Sequence, residues 1–245
     1  MVTASRAWLA LSLAGSLVAP SARATECAVP AGMAPSLARV PAEVRLGFLR
    51  RELATAARRA SAWAWSWAAL YAGGTALEFG LSAAVSREAR IDYWVGGATS
   101  AIGLASLLVL PPRSPRDQRW LEARIARAPA DADPCALLAE AERLVARDAA
   151  GEEAGQSPLL HAANLLLNIA AGLVIGAVGD RWPSALLQIF GGAAIGELQL
   201  LTQPTLSVQA LRRYRAGDLA PRAAPVAIAP SVSRDSLGLS VALSF

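Results

Sequence analysis

The sequence is poor in the residues that usually carry catalysis and metal binding. It contains no lysine, one histidine and two cysteines, and charged residues make up only 17% of it, against roughly 25% in ordinary soluble domains. A metal site at His161 would need further ligands, and no cysteine or carboxylate is spaced to supply them. Nucleophile elbows, phosphate loops, dinucleotide fingerprints and HExxH motifs are absent from the sequence. We therefore predict no catalytic residues, no metal, no cofactor and no enzymatic activity.

The positive charge of the chain comes from arginine alone. All 23 basic residues are Arg, and the pI is about 9.8. A GC-rich genome, which favours Arg and Ala codons, explains this usage without a functional role. A nucleic-acid partner is not expected, because the arginines are scattered and no basic groove with interleaved stacking residues is visible. Anionic lipid headgroups are a more natural partner.

The first 24 residues have the pattern of an export signal. Arg6 opens a short positive region, residues 7–18 are apolar, and Ala22-Arg23-Ala24 provides a small-x-small cleavage site. The apolar segment is too short to span a bilayer comfortably. We predict a cleaved signal that ends at Ala24, and the alternative is an uncleaved anchor.

The two cysteines are Cys27 and Cys135. An oxidising periplasm permits a disulfide after export, and only one pairing within the chain exists. We predict this bond. The alternatives are two unpaired, buried thiols or a bridge between two copies of the chain.

Four apolar stretches follow the signal, over residues 62–85, 93–110, 159–178 and 182–201. Each is near the roughly 20 residues that a helix needs to cross a bilayer. Aromatic residues stand at their predicted ends, as they do at membrane interfaces; these are Trp63, Trp65, Trp67, Tyr93, Trp94 and Trp182. We predict an all-α membrane protein with a four-span helical bundle. The alternative is four buried helices of a large soluble core, for which the rest of the chain is too small.

Shorter amphipathic helices are expected to flank the spans. One covers residues 41–59, and a second begins at Ser114-Pro115, where Ser can cap a helix and Pro has no N–H to lose. Asp133-Pro134 repeats this start signal for a helix that ends near residue 147. A last short helix covers residues 206–215 and stops at Gly217.

The two halves of the chain resemble each other. Val-Gly-Gly-Ala at 95–98 and Ile-Gly at 102–103 correspond to Phe-Gly-Gly-Ala at 190–193 and Ile-Gly at 195–196. Each half consists of an amphipathic helix, two spans, a proline and a short Arg-rich helix. This order predicts a tandem two-span repeat; a chance likeness between glycine-rich helices is the alternative.

These signals divide the chain into six segments. They are a signal peptide (1–24), a periplasmic amphipathic segment (25–61), a first two-span helical hairpin (62–111), a periplasmic helical loop (112–157), a second two-span hairpin (158–204), and a C-terminal short helix followed by a β hairpin or mobile tail (205–245).

The tail changes its hydrophobic period. Leu237, Leu239, Val241, Leu243 and Phe245 alternate with small residues, which is typical of a strand. An alternating strand that ends in Phe resembles the last strand of bacterial outer-membrane barrels over roughly ten residues, but the chain has too few alternating strands to close a barrel. We expect a small C-terminal β hairpin docked on the periplasmic face, or a mobile tail.

Polar residues inside the apolar stretches are the candidate functional residues. Glu78 and Glu197 lie in the first and fourth stretches, and a carboxylate at membrane depth usually faces a bundle interior. One interpretation is a proton- or cation-responsive site. The other is a structural contact to Asn164, Asn168 or Gln188 on neighbouring helices. His161 shares a helical face with the two asparagines, and we expect it to serve polar packing.

Two GxxxG motifs predict close helix packing. Gly172 and Gly176 form one in the third stretch, and Gly192 and Gly196 form the other in the fourth. Small residues one turn apart let helix backbones approach in lipid. The sequence leaves open whether these motifs join helices within one chain or between chains.

The function that these patterns favour is a structural or assembly component of the bacterial cell envelope, which acts through contacts with the lipid bilayer and with other envelope proteins or a second copy of the chain. The alternative is a small transporter or channel with Glu78 and Glu197 in its interior. We expect the inner membrane, with the outer membrane as the alternative. The predicted signal places the N-terminal segment, the central loop and the C-terminus in the periplasm.

Overall fold

The structure is a computed structural model that describes residues 26–129 and 131–221, and the backbone of residues 227–232 and 237–242. The predicted signal peptide and its cleavage site lie outside the described residues. The described chain up to residue 221 is helical and contains no strand.

Eight α-helices follow a short 3-10 helix at Pro35–Arg39 in the described chain. They are α1 (Ala42–Ser82), α2 (Arg90–Val109), α3 (Ser114–Ala126), α4 (Pro134–Gly155), α5 (Pro158–Gly179), α6 (Trp182–Leu187), α7 (Ala193–Leu201) and α8 (Leu206–Arg215). A π-helical turn, Gln188–Gly192, joins α6 to α7. These two helices therefore run on as one, which we call α6–α7.

The longest helix, α1, joins two elements that were predicted separately. It has 41 residues, which is about 60 Å at 1.5 Å per residue. No Gly or Pro stands near Ala60 and Ser61, so nothing ends the helix between the amphipathic segment and the first apolar stretch. The chain turns only after Ser82 and returns as α2.

The helices form two parts along the length of α1. The head consists of residues 26–60 with α3, α4 and α8. The bundle consists of residues 61–82 of α1 with α2, α5 and α6–α7. The head has a continuous buried core, to which Leu37, Phe48, Leu49, Leu121, Leu138, Val145 and Tyr214 belong.

The outer surface of the bundle is apolar instead. Leu110, Val178 and Leu187 are each at least 75% exposed, although residues of this size and polarity are usually buried in soluble proteins. Contiguous exposed apolar surface of this kind marks a surface that contacts lipid or another protein.

Three helical stretches are long and apolar enough to cross a membrane, namely Arg90–Ala126, Pro134–Gly179 and Trp182–Arg215. Their apolar portions are α2, α5 and α6–α7. The prediction of four spans is therefore supported for three of them. The first predicted span falls in α1, where three tryptophans, Gly73-Gly74, Thr75 and Glu78 lower the mean hydropathy.

A disulfide fastens the start of the described chain to the head. The sulfur atoms of Cys27 and Cys135 are 2.04 Å apart, and the described chain contains no free cysteine. The bond links the segment before α1 to the first turn of α4, where the side chain of Asp133 accepts a hydrogen bond from the Cys135 N–H at 2.9 Å.

The predicted hairpin forms no part of this helical body. Beyond residue 221, the backbones of Ala227–Val232 (β1) and Leu237–Ala242 (β2) pair in antiparallel fashion, with Ala227 opposite Ala242. The side chains of these segments lie outside the described residues, so docking of a hairpin on the periplasmic face stays a prediction.

Candidate functional site between the two helical hairpins

The bundle consists of two helical hairpins. The first hairpin is residues 61–82 of α1 with α2, and the second hairpin is α5 with α6–α7. Most polar side chains of the bundle lie inside the hairpins or between them.

Glu197 is held firmly within the second hairpin. Its Oε2 lies 2.5 Å from Nδ1 of His161, and its Oε1 accepts a hydrogen bond from Nδ2 of Asn164 at 2.8 Å. All three residues lie on facing surfaces of α5 and α7. Glu197 therefore has the structural contact to Asn164 that one of the sequence interpretations expected.

A ladder of amides continues from this cluster toward the first hairpin. Asn168 Nδ2 donates to the Asn164 backbone O at 2.9 Å and to its Oδ1 at 3.0 Å. Gln188 Nε2 donates to Asn168 Oδ1 at 3.3 Å and to Thr99 Oγ1, on α2, at 3.4 Å. The ladder thus connects α7, α5 and the π turn to the first hairpin.

The π turn lies where Gln188 joins this ladder. A π turn holds one more residue than an α-helical turn, so it rotates the following residues around the helix axis. Gln188 and Gly192, at its two ends, then both face Asn168 on α5. Amides buried in an apolar bundle need such partners, because an unpaired amide is costly there.

The four glycines of the GxxxG motifs all face the other helix of their own hairpin. A Cβ at Gly172 would lie 2.7 Å from the carbonyl O of Ala185, and one at Gly176 would lie 2.7 Å from the ring of Trp182. Gly192 and Gly196 face the side chains of Asn168 and Asn164. These motifs therefore pack α5 against α6–α7 within one chain.

Glu78 lies in the first hairpin and has far fewer contacts than Glu197. Its one hydrogen bond comes from Ser100 Oγ at 3.4 Å, and no cation of the described chain forms an ion pair with it. A Cβ at Gly96 would lie 2.7 Å from Glu78 Oε1, so this glycine makes room for the carboxylate. The structure brings Glu78 into no contact with Asn164, Asn168 or Gln188 among the hydrogen bonds of the described residues.

A cavity of about 1330 Å³ lies between the two hairpins, which also contact each other directly. All four helices line it, and Glu78 belongs to its wall whereas Glu197 does not. Its wall includes the polar hairpin residues Tyr71, Glu78, Asp92, Thr99, Ser100, Asn164, Asn168, Arg181, Gln188 and Gln199, and at the head end it adds Arg113, Arg147, Asp148 and Glu152. Leucines and alanines form much of the remainder, among them Leu107, Ala163 and Leu167. Apolar walls with a few convergent polar groups are typical of ligand sites.

Contacts between the hairpins also cross the cavity near its two ends. At the end away from the head, Arg181 Nε donates to both carboxylate oxygens of Asp92, at 3.0 and 2.9 Å. Nearer the head, Tyr71 OH donates to Gln199 Oε1 at 2.6 Å. The cavity continues past this second contact to residues of the head.

Asp148 lines the head end of the cavity and lies beside a second buried aspartate, Asp117. Asp117 is 2% exposed and accepts a hydrogen bond from Arg147 Nη2 at 2.6 Å. Asp148 is 3% exposed, and neither of its carboxylate oxygens accepts a hydrogen bond from any described residue. Burial, and next the neighbouring Asp117, raise the pKa of Asp148 to about 8. Protonated Asp148 can donate to Asp117, whereas the ionised form finds no donor.

Another buried charge, that of Arg45, lies in the core of the head. Arg45 is fully buried; its Nη2 donates to Glu142 Oε1 at 2.7 Å, its Nε to Tyr214 OH at 2.8 Å and its Nη1 to the Cys27 carbonyl O at 3.3 Å. Each of the three guanidinium nitrogens therefore donates a hydrogen bond, as a buried charge requires. Burial, and then the hydrogen bond to Glu142, raise the pKa of Tyr214.

Of the described residues, none form a cluster of three or more His, Cys, Asp or Glu side chains suited to a metal ion. Comparison of the chain with protein-family models, with curated proteins and with solved structures found no match.

The sequence interpretation found Glu78 and the asparagines but missed several residues of the site. Tyr71, Ser100 and Gln199 carry no charge, and a single hydroxyl or amide group in an apolar helix does not by itself indicate a site. Their helical positions relative to Glu78 and Asn168 were the available signal, since residues three or four apart share a face. Asp148 gave no signal, because acidic residues are common in an amphipathic helix.

Proposed function

We propose that the protein is an integral membrane protein of the bacterial cell envelope, and that its bundle serves as a small transporter or channel for a cationic solute. The observation that supports this most is the cavity between the hairpins, whose wall contains the Glu78 carboxylate without a neutralising partner among the described residues. A carboxylate at membrane depth is costly unless a cation, a proton or water compensates its charge.

The shape and lining of the cavity favour a solute over a purely structural role for Glu78. Structural carboxylates in lipid pair with neighbouring helices, as Glu197 does with His161 and Asn164. Glu78 instead shares its wall with hydroxyl and amide groups that can replace the hydration shell of a small cation. The Arg181–Asp92 ion pair joins the two hairpins at the far end, where its opening would extend the cavity.

The proposal includes residues 61–82 of α1 as a fourth crossing. This portion is about as long as α2 and packs along it. Its low mean hydropathy has a local cause, because Tyr71 and Glu78 face the cavity while Trp65 and Leu77 are exposed on the outer surface. A helix that lines a polar cavity need not be apolar on every side.

The disulfide and the helix directions support the location that we propose. Both hairpins begin and end beside the head, at Ser61 and the end of α2 in the first and at the start of α5 and the end of α7 in the second, so each returns to the side on which it began. A disulfide persists in the periplasm and not in the cytosol, which favours a periplasmic head. We place the protein in the inner membrane, with the outer membrane as the alternative.

A structural or assembly role is the second candidate. It is favoured by the head, whose core is fastened by the disulfide and by the Arg45 cluster, and which continues into the bundle through the unbroken α1. Affinity purification from native membranes tests this role. Stoichiometric recovery of another envelope protein supports this role, and recovery of the chain without any other protein opposes it.

The transport proposal is tested by solute entry into proteoliposomes. We expect choline chloride to enter vesicles that contain the wild-type protein faster than vesicles without protein. Ala163→Trp, which places a bulky ring inside the cavity, should reduce the difference, and Glu78→Gln should reduce choline entry more than glycerol entry. Ala162→Trp is the matched control, because Ala162 is exposed but does not line the cavity. Equal entry with and without protein, for both solutes, would contradict the proposal.

A further inference from the structure

A second, smaller cleft lies outside the bundle cavity, between α1 and α3. It has a volume of about 360 Å³. Its floor consists of small or compact residues, namely Ala54, Ala57, Ser61 and Pro115. On α1 these positions are three, four and seven residues apart, so they form one helical face. The first turn of α3 packs beside this face.

Arg58, Gln118 and Arg119 complete the lining of the cleft, and none of the described residues that line it is acidic. Arg58 projects from α1 and Arg119 from α3, and both are exposed. Arg58 donates one hydrogen bond, to Thr55 Oγ1 at 3.2 Å, and neither guanidinium has an ion-pair partner among the described residues. The nearby carboxylates are already occupied, since Glu122 binds Arg50 and Asp117 binds Arg147.

The cleft lies at the level where the head meets the bundle. Ser61 lies two residues before Trp63, and Pro115 lies five residues after the exposed Leu110, which directly follows α2. Trp65, one turn beyond Ser61, is 72% exposed on the outer surface of the bundle. If the bundle lies in a bilayer, the two guanidinium groups therefore stand at the depth of the lipid phosphates, with apolar helix surface directly below them.

We propose that this cleft binds the phosphate diester of an anionic glycerophospholipid, with Arg58 and Arg119 as its ligands. The guanidinium group presents N–H donors in a fixed fork that matches phosphate oxygens. The acyl chains of the lipid would run along the apolar surface near Trp65 and Leu110. This proposal depends on the membrane location and not on solute passage.

Binding of phosphatidylglycerol and of phosphatidylcholine with identical acyl chains to the purified full-length protein, in a nonionic detergent, tests this site. Native mass spectrometry gives the occupancy at each lipid concentration. We expect wild type to bind phosphatidylglycerol about tenfold more tightly than the double variant Arg58→Gln/Arg119→Gln does. The matched control is Arg124→Gln/Arg127→Gln, which removes two exposed arginines from the far end of α3 and should bind as wild type does.

Three outcomes would overturn the proposal. Equal affinity of wild type and of both double variants for phosphatidylglycerol would show that the two arginines are not ligands. Equal affinity of wild type for the two lipids would remove the preference for a net anionic headgroup. Displacement of the lipid by millimolar inorganic phosphate would show that a soluble phosphate, and not a lipid, is the ligand. If the double variant does not accumulate, Arg119→Gln alone should weaken phosphatidylglycerol binding about threefold, and an unchanged affinity would count against the site.

Discussion

Glu78 and Glu197 both lie in stretches that were predicted as membrane spans, yet their surroundings differ. Glu197 contacts His161 and Asn164 at 2.5 and 2.8 Å, while Glu78 has one long hydrogen bond from Ser100. The same residue type therefore stabilises the fold at one position and stays available to a ligand at the other. Sequence patterns give both residues equal weight, because the partners come from other helices.

Leucine substitution should separate the two carboxylates. Glu197→Leu removes the carboxylate that contacts His161 and accepts a hydrogen bond from Asn164. We therefore expect it to lower the unfolding free energy by about 1–3 kcal/mol. Glu78→Leu removes one weak hydrogen bond and should leave stability unchanged or slightly raised. Thermal unfolding of the two purified variants in the same detergent is the measurement. A larger loss for Glu78→Leu would mean that Glu78 supports the fold.

Asp148 should make the stability of the protein depend on pH. Its pKa is raised from 3.8 to about 8 in the folded protein, so the folded state holds this proton more tightly than the unfolded chain does. The resulting stabilisation is fully present at low pH and is lost as the pH rises from about 4 to about 8. We expect the wild-type melting temperature to fall across this window.

Asp148→Asn should remove most of that dependence, because an amide can still donate to Asp117 but does not ionise. At pH 8.5 the variant should be more stable than wild type by a few kcal/mol. Asp131→Asn, in the exposed loop before α4, is the control and should follow wild type. A pH profile of Asp148→Asn that matches wild type would contradict the assignment.

At the scale of the elements, the glycines decide how closely α5 and α6–α7 approach. Gly172 faces backbone, because an added Cβ would lie 2.7 Å from the Ala185 carbonyl O. Gly191, in the same hairpin, has nothing within 4 Å of an added Cβ. The two positions therefore distinguish a packing requirement from the ordinary cost of glycine in a helix.

Gly172→Ala should lower the unfolding free energy by about 1–3 kcal/mol, since the two helix backbones must separate. Gly191→Ala should leave it unchanged or raise it by up to about 1 kcal/mol, because alanine favours the helix. Both values come from denaturation of the purified variants. The packing account fails if alanine is tolerated equally at both positions.

Much of the element order could be predicted from the sequence, and the exceptions have physical reasons. The Ser-Pro and Asp-Pro signals place the starts of α3 and α4 correctly, although only Asp133 caps its helix, whereas Ser114 is itself the first helical residue of α3 and the N-cap Arg113 makes no side-chain hydrogen bond. The prediction that a helix ends near residue 61 was wrong, because a change in polarity does not break a helix where Gly and Pro are absent. The π turn at Gln188–Gly192 had no local signal, because it depends on contacts with α5.

At the scale of the whole molecule, the cavity depends on how the two hairpins are placed relative to each other. Hydropathy identifies apolar helices but not the distance between them. The glycine motifs predicted close packing, and in the structure that packing lies within the second hairpin and not between the two. The duplicated Gly-Gly-Ala segments occupy α2 and the π turn with α7, where Gly97 and Gly192 each face the first helix of their hairpin. The tandem repeat itself stays a prediction.

The central claim is that water and small solutes reach the cavity between the hairpins, and thiol labelling tests it most directly. The described chain has no free cysteine, so one introduced thiol reports on its own position. Leu167→Cys lines the cavity, whereas Leu166→Cys lies at the same depth on the outer surface, where Leu166 is 66% exposed. We expect a membrane-impermeant thiol reagent, applied to spheroplasts, to label Leu167→Cys and to leave Leu166→Cys unlabelled. Equal protection of both thiols would show a lipid-filled or closed interior and would contradict the account.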